Sequence, residues 1–168
     1  FDIRRMNMRK FIPFLLIILI VLALVSGCGK TTTNTSTGSL KIDDFIFCSE
    51  IAGDRDFIKR DDKTFSKDEN VLIYTEVSNF TPKDVSGKFE YWPVVEVEVK
   101  DPQGNSIIQR QKIIDEKLEI STKAPYLYFP ITLTFPADSP DGKYEVTAYF
   151  EDMNSGREAQ MKDNFFLE

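Results

Sequence analysis

Apolar and polar residues are distributed in two different ways along this chain of 168 residues. Residues 11–25 form an unbroken apolar run, FIPFLLIILIVLALV, whereas from Leu40 onward apolar residues alternate with polar ones. An alternation of period two places successive side chains on opposite faces of an extended strand. The pattern therefore predicts an apolar N-terminal segment followed by a long region built from β-strands.

The alternating region contains about seven predicted strands. The segments are 40–49, 71–80, 88–100, 106–114, 126–135, 143–151 and 158–168. Each has one mainly apolar phase and one mainly polar phase, which is typical of a strand with one buried face. The turn sequence DPQGN (101–105) predicts a hairpin between two of them. No stretch keeps helical spacing over three turns, so we predict an all-β fold, an antiparallel two-sheet sandwich preceded by an N-terminal signal or anchor helix.

Two prolines fall within the predicted strands. Pro93 and Pro130 have no N–H group to donate to a neighbouring strand. Proline in a sheet is found at edges or at bulges for this reason. We therefore expect Pro93 and Pro130 at such positions.

The last third of the chain, residues 135–168, carries two short motifs. GKYEV (142–146) opens one predicted strand, and DMNSGR (152–157) forms the turn to the last one. This arrangement resembles the closing strands of immunoglobulin-like, fibronectin-type and macroglobulin-type domains. The resemblance implies that residues 40–168 form an immunoglobulin-like β-sandwich in which the hydroxyl of Tyr144 bonds back to the preceding loop. Membership of this fold class carries no activity by itself.

The N-terminus has the layout of a secretory signal. Four basic residues, Arg4, Arg5, Arg9 and Lys10, precede the apolar run, and the small residues Ser26 and Gly27 follow it. Fifteen apolar residues in a helix span only about 22 Å, less than a hydrocarbon core of about 30 Å. An uncleaved membrane helix extended to Gly29 remains open as an alternative. In both cases the basic end stays in the cytoplasm and the region after Lys30 lies outside.

The tetrapeptide Val25-Ser26-Gly27-Cys28 at the end of the apolar run resembles the lipobox of prokaryotic lipoproteins. The resemblance implies that residues 1–27 are a signal peptide removed by cleavage and that Cys28 carries a diacylglyceryl group. Two acyl chains hold a protein on a bilayer where a single chain does not. We therefore expect an extracytoplasmic protein that is lipid-anchored to a prokaryotic cell membrane through Cys28.

Residues 28–39 connect this anchor to the predicted domain. The segment KTTTNTSTGS (30–39) contains no apolar residue, so we expect a flexible tether spanning on the order of 15–20 Å. The only other cysteine is Cys48, so a lipidated Cys28 leaves no partner for an intramolecular disulfide. Cys48 lies on a predicted strand and is expected to act as a small buried apolar group.

Charge and residue types narrow the function classes. The chain has 21 basic and 27 acidic residues, and because the first 27 residues hold four basic residues and one acid, the remainder carries about −9. The lysines are scattered among acids, so no basic stripe is available and we expect no nucleic-acid partner. The chain has no histidine, which excludes Ser-His-Asp and Cys-His catalysis. No catalytic residue and no cofactor are assigned, and an enzyme is not expected.

Carboxylates are the remaining candidates for chemistry, and they are densest in DRDFIKRDDKTFSKDE (54–69). Ile58 and Lys59 stand where a calcium loop requires a ligand and a glycine. We therefore interpret the segment as a solvated loop between the first two strands and assign no metal ligand.

Five aromatic residues lie on the phase opposite the predicted core: Tyr74, Trp92, Tyr126, Tyr128 and Tyr149. Together they form a candidate binding face that could stack on sugar rings or on a partner protein. The alternative is that loops cover some of them and others are simply exposed.

The sequence thus predicts a membrane-anchored extracytoplasmic lipoprotein whose β-sandwich is a non-catalytic binding or assembly module of the cell envelope. Its expected partners are membrane lipid at Cys28 and an envelope protein or glycan. Two alternatives stay open: a carbohydrate- or calcium-binding module, and an inhibitor or accessory subunit of a secreted enzyme.

Overall fold

A computed structural model describes residues 39–168, and these residues form twelve β-strands. The strands are β1 (Lys41–Gly53), β2 (Asp56–Lys59), β3 (Thr64–Phe65), β4 (Val71–Ser78), β5 (Lys83–Val85), β6 (Lys88–Tyr91), β7 (Pro93–Lys100), β8 (Ser106–Asp115), β9 (Leu118–Ile120), β10 (Tyr126–Leu133), β11 (Gly142–Asp152) and β12 (Arg157–Leu167). The predicted all-β class is confirmed. The predicted signal helix, the cleavage residues and Cys28 lie outside the described residues.

The strands are arranged in three sheets. A four-stranded sheet has the order β10-β4-β1-β2, a five-stranded sheet the order β3-β12-β11-β7-β8, and a three-stranded sheet the order β5-β6-β9. Neighbouring strands are antiparallel except β3 and β12, which are parallel. Within residues 39–168, no helix has the length and apolar character needed to cross a membrane.

The strand count exceeds the seven that the sequence predicts, partly because the segment 88–100 is not one strand. It divides at Trp92 into β6, which pairs with β5 and β9, and β7, which pairs with β11 and β8. The following residue, Pro93, restricts the backbone of Trp92 and has no N–H. The chain therefore passes from the three-stranded sheet to the five-stranded sheet at this position.

The four-stranded and five-stranded sheets share one apolar core. The Phe47 ring of β1 lies 5.9 Å from that of Phe165 on β12, and the Phe129 ring of β10 lies 5.8 Å from that of Phe150 on β11. The apolar phases predicted from alternation are buried, as in Leu127, Phe129, Ile131, Leu133, Tyr144, Val146, Ala148 and Phe150. Burial of these side chains supplies the main favourable term for folding.

The predicted turns and one of the two proline placements are confirmed. The backbone N–H of Asp101 donates to the Asn105 carbonyl at 2.9 Å and closes the β7–β8 hairpin. The Tyr144 hydroxyl donates to the Pro140 carbonyl at 2.8 Å, which is the bond to the preceding loop expected for this residue. Pro130 lies in β10, the outermost strand of its sheet, whereas Pro93 begins the interior strand β7.

The acidic segment 54–69 is not the solvated loop that the sequence suggests. It contains β2 and β3, and Phe65 of β3 is completely buried. Strands β1 and β2 form a hairpin whose turn is Asp54-Arg55, with register shifts between Cys48 and Glu50 and between Ile51 and Gly53. These irregularities twist the hairpin, and its tip contacts the outer face of the four-stranded sheet.

Cys48 of β1 is buried, with none of its surface exposed, as its place on a strand predicts. Its Sγ–H lies 3.4 Å from the Ile46 carbonyl, and burial raises the pKa of the thiol. Cys48 is therefore part of the packed interior.

Candidate functional site

The tip of the β1–β2 hairpin is attached to the outer face of the four-stranded sheet by an ion pair. Arg55 Nε donates to Glu76 Oε2 at 2.9 Å, and Arg55 Nη2 donates to Glu76 Oε1 at 2.6 Å. The Glu76 side chain is only 6% exposed, whereas that of Arg55 is 61% exposed. A buried carboxylate needs such a partner, because its desolvation is otherwise uncompensated. The hydrogen bonds to Glu76 also raise the pKa of the Arg55 guanidinium.

The neighbouring tip residue, Asp54, is oriented by two tyrosines. The Tyr74 hydroxyl donates to Asp54 Oδ1 at 3.2 Å, and the Tyr126 hydroxyl donates to Asp54 Oδ2 at 2.9 Å. The pKa of Tyr126 is raised mainly by its hydrogen bond to Asp54, and burial raises that of Tyr74. Both phenols therefore keep their protons at neutral pH and act as donors. The Asp54 carboxylate is held in one orientation at the surface.

Three aromatic rings form a row across the same face. The Phe57 and Tyr74 ring centroids are 4.5 Å apart, and Tyr74 and Tyr128 are stacked with centroids 5.9 Å apart and planes 15° from parallel. Tyr74, in the middle, has none of its surface exposed, whereas Tyr128, at the end of the row, is 37% exposed. Tyr128 is therefore a supported ring with an open side.

Tyr128, Tyr126 and Asp54 are among the residues that line a cleft of about 450 Å³. We call it the tyrosine cleft; its lining residues are Asp54, Leu118, Ile120, Thr122, Lys123, Ala124, Pro125, Tyr126, Leu127 and Tyr128. The volume lies within the range of about 300–1,000 Å³ that is usual for small-molecule sites. Most of the lining is apolar or aromatic, with a few polar groups at defined positions.

A second part of the wall of the tyrosine cleft, the segment 122–125, is also held in place. The Ala124 N–H donates to the Tyr91 hydroxyl oxygen at 2.8 Å, and the Tyr91 hydroxyl lies 3.4 Å from the Ala124 carbonyl. Tyr91 is itself buried, at 1% exposure. Both parts of the wall are thus fixed by hydrogen bonds to the body of the domain, so the cleft exists before any ligand enters.

The five aromatic residues proposed from the sequence do not form one face. Tyr74, Tyr126 and Tyr128 lie together on the four-stranded sheet, although Tyr74 is buried under the hairpin. Trp92 lies at the β6–β7 junction, where its Nε1–H donates to Asp115 Oδ1 at 2.9 Å. Tyr149 lies on the five-stranded sheet and donates to Glu98 Oε2 at 3.1 Å. Residues on the phase opposite the core face outward, but the outer faces of the two sheets point in opposite directions. Alternation alone does not show to which of the two sheets a residue belongs.

Sequence reasoning missed the two residues at the hairpin tip, Asp54 and Arg55. A hairpin signal was present, because the turn sequence Gly53 to Asp56 is flanked by apolar residues on both sides. Because residues 54–69 contain many charged residues, the segment was interpreted as a solvated loop and not as a hairpin. The cleft residues of β9 were missed because a strand of three residues is too short to show alternation.

The part of the chain that the structure describes contains no group of three or more carboxylate or thiol residues placed to hold a metal ion. Each oxygen of Asp54 accepts one hydrogen bond from a phenol hydroxyl, from Tyr74 or from Tyr126. What the tyrosine cleft offers chemically is a ring surface, an oriented hydrogen-bond acceptor and apolar side chains.

Comparison with known proteins gives matches at the level of structure alone. No protein-family model and no curated protein sequence matches the chain. Spo0M, the sporulation control protein of Bacillus subtilis, matches with a TM-score of 0.42 and 15% identity over 78% of this chain and 50% of that chain. The alkylpurine DNA glycosylase AlkC of Pseudomonas fluorescens matches with a TM-score of 0.46 and 10% identity over 78% of this chain and 31% of that chain.

A third match, the superoxide reductase of Ignicoccus hospitalis, has a TM-score of 0.36 and 12% identity over 79% of this chain and 82% of that chain. The chain spans half the length of the Spo0M chain and about a third of the AlkC chain. Likenesses of this size do not carry an activity from those proteins to this one.

Proposed function

We propose that this protein is a lipoprotein held by Cys28 on the outer side of a prokaryotic membrane. Its residues 40–168 form an immunoglobulin-like β-sandwich that acts as a non-catalytic binding module of the cell envelope. The tyrosine cleft is the binding site of this module.

The anchor rests on the order of features at the N-terminus. A basic segment, a fifteen-residue apolar run and the tetrapeptide ending in Cys28 follow one another, and a polar tether comes next. Lys41, at the start of β1, pairs with Ser78, and Ser78 pairs with Tyr126 on the next strand. Lys41 therefore lies at the end of the sheet where β10 begins.

The immunoglobulin-like assignment is supported by packing and by the C-terminal strands. Two antiparallel sheets enclose a common core through ring contacts such as Phe47 to Phe165. The Tyr144 hydroxyl bonds to the loop before its strand, and a tight turn with Gly156 at φ 69° joins the last two long strands. The Tyr144 bond and the turn at Gly156 lie in the two motifs through which the sequence resembles that class.

The observation that carries the binding function is the orientation of Asp54 by Tyr74 and Tyr126 at the wall of a preformed cleft. Asp54 lies outside the apolar core, so its fixed orientation does not contribute to core packing. An oriented polar group beside an exposed aromatic ring is typical of a ligand-binding site. Because both parts of the wall are already ordered, a ligand that enters loses little affinity to ordering the protein.

The lipid anchor is tested by the mass and detergent partitioning of the full chain expressed in a bacterium. We expect a mature protein that begins at Cys28 and carries added diacylglyceryl mass, and it should enter the detergent phase. Cys28→Ser should abolish the lipid mass, whereas the matched variant Cys48→Ser should keep it. A mature protein that retains residues 11–25 would replace the lipid anchor with a membrane helix.

The binding function is tested by sedimentation with cell envelopes from which lipid has been extracted by detergent. We expect the purified full chain to sediment with them and Tyr128→Ala to remain in the supernatant. Tyr149→Ala is the matched control, because it removes a tyrosine from the other sheet. Equal sedimentation of both variants would show that the tyrosine cleft is not the binding site.

A further inference from the structure

We propose that the tyrosine cleft binds a neutral saccharide, with a sugar ring against Tyr128 and sugar hydroxyls donating to Asp54. This inference rests on the proposed function of residues 40–168 as a binding module and names the chemical class of its ligand. Four features of the cleft support it: the ring platform, the acceptor, the charge balance and the interrupted strand edge.

The ring platform is Tyr128. One side of the ring stacks on Tyr74 with planes 15° from parallel, and Tyr74 is in turn packed against Phe57. Tyr128 nevertheless keeps 37% of its surface exposed and lines the cleft. The flat apolar face of a pyranose ring packs on such a surface, and a ring that is already fixed loses little rotamer entropy on binding.

The acceptor is the Asp54 carboxylate. Each of its oxygens accepts one phenol hydrogen bond, from Tyr74 and from Tyr126. An ionised carboxylate has about four acceptor positions, so positions are left for sugar hydroxyls. Arg55 directs both Nε and Nη2 to Glu76, and Asp54 is exposed. Hydrogen bonds from hydroxyls to an ionised acceptor are about twice as strong as those between neutral groups.

The charge balance at the cleft favours an uncharged ligand. Among the lining residues Asp54 is acidic and Lys123 is basic, so the cleft itself is close to neutral. The region after residue 27 carries about −9, which repels anionic saccharides at long range. The apolar side chains of Leu118 and Ile120 in the lining suit the methyl group of an N-acetyl substituent or the C–H face of a second ring.

An extended peptide is the competing occupant, because β10 is the outermost strand of its sheet. Such a peptide would bind by adding a strand to that edge. Pro130 lies in the middle of β10 and has no N–H, and proline in an edge strand places this missing donor on the open side. Pro130 therefore divides the open edge into two short stretches, residues 126–129 and 131–133. The edge therefore disfavours strand addition, while the cleft beside it stays open to a sugar.

Calorimetric titration of the full chain in detergent tests the proposal. The probes are tetrasaccharides of β-1,4-linked glucose, of N-acetylglucosamine and of mannose, with tetragalacturonate as an anionic comparison. We expect saturable binding of at least one neutral probe and weaker binding of tetragalacturonate. Tyr128→Ala and Asp54→Asn should each weaken that binding by about tenfold or more, because each removes a contact to the ligand. Tyr149→Ala, which removes a tyrosine from the five-stranded sheet, should bind as the unchanged protein does.

Thermal melting of each variant checks that the fold is intact. Tyr128→Ala loses the stacking contact with Tyr74 and should melt slightly below the unchanged protein, in one cooperative transition. Asp54→Asn should also melt cooperatively, even if it loosens the hairpin. The proposal is overturned if no neutral probe saturates, if Tyr128→Ala binds as well as the unchanged protein, or if tetragalacturonate binds more tightly. It is also overturned if a displayed peptide library yields a peptide that occupies the cleft while the sugars do not. A protein that carries the lipid but binds no sugar would refute this inference alone, and one that binds sugar without lipid would refute only the anchor.

Discussion

Arg55 and Glu76 form a doubly hydrogen-bonded ion pair between residues 21 positions apart in the sequence, with N–O distances of 2.9 and 2.6 Å. The pair joins the tip of the β1–β2 hairpin to the middle of β4, where Glu76 is buried. It therefore determines where Asp54 lies, and with it one wall of the tyrosine cleft. The Arg55–Glu76 pair thus attaches the hairpin to the sheet and also positions Asp54 at the cleft.

Arg55→Ala should lower the free energy of unfolding, because it leaves the Glu76 carboxylate buried without its partner. Urea denaturation of the full chain in detergent measures this change. Arg55→Lys should also lower the free energy of unfolding, but by less than Arg55→Ala. It keeps the positive charge, although an ammonium group cannot make the same two bonds.

The double variant Arg55→Ala/Glu76→Gln is the control for this prediction. Once Glu76 is uncharged, removing Arg55 should lower the free energy of unfolding by less. The loss in the double variant should therefore be smaller than the sum of the losses in Arg55→Ala and Glu76→Gln. Strict additivity would show that the two side chains are not coupled.

Tyr144→Phe should lower the free energy of unfolding by about 1–2 kcal/mol, because the Pro140 carbonyl loses its hydrogen bond from a buried hydroxyl. Tyr149→Phe provides a matched comparison, since its half-buried hydroxyl bonds to Glu98 near the surface and should contribute about 0.5 kcal/mol or less. Denaturation curves that rank the two variants in the opposite order would contradict the role assigned to the Tyr144 bond.

Asp101 should contribute stability that depends on pH. Its carboxylate accepts hydrogen bonds from the Asn105 side chain and from the backbone N–H groups of Gln103 and Asn105, and these hold its pKa below the ordinary value of 3.8. A pKa lowered by folding adds stability that is complete above pH 3.8 and is lost as the pH falls through the folded value. In Asp101→Asn this loss should be absent. The difference in free energy of unfolding between the variant and the unchanged protein should therefore narrow below pH 3.8. Stability curves that stay parallel in this range would disprove the prediction.

Cys48 should be unreactive in the folded protein. It has no exposed surface, and burial raises its pKa, so little thiolate is present or accessible at pH 8. In the Cys28→Ser variant, labelling by a thiol reagent should be about a hundredfold slower in buffer than in concentrated urea, since it requires opening of β1. Rapid labelling under native conditions would mean that β1 opens readily or that Cys48 is accessible.

Local patterns were sufficient to predict the fold class and most of the core. Period-two alternation placed Phe129 and Val146 in the interior correctly, because a strand assigns its side chains to two faces by geometry alone. The Asp101 to Asn105 turn and the Tyr144 bond involve residues within a few positions of each other. Such short-range features can be read from a sequence without knowing the rest of the fold.

The candidate site could be predicted only in part. Tyr126 and Tyr128 were identified, but Trp92 and Tyr149 were grouped with them although they lie elsewhere. The alternation says that a residue faces outward from its own sheet, and it does not say which sheet its strand joins. Asp54 was assigned to a solvated loop, because nothing near it in the sequence points to Tyr126, 72 residues away.

The sequence by itself determined the alternating strands, the turns between them, the acidic character and the lipobox-like segment at Cys28, because each depends on neighbouring residues. Only the tertiary structure decided that β1 and β2 meet the outer face of β4, that 88–100 divides between two sheets, and that Tyr128 stays open beside Asp54. Those outcomes depend on pairing between strands that are distant in the sequence and on the ion pair between Arg55 and the buried Glu76. They are settled by the packing of the whole domain.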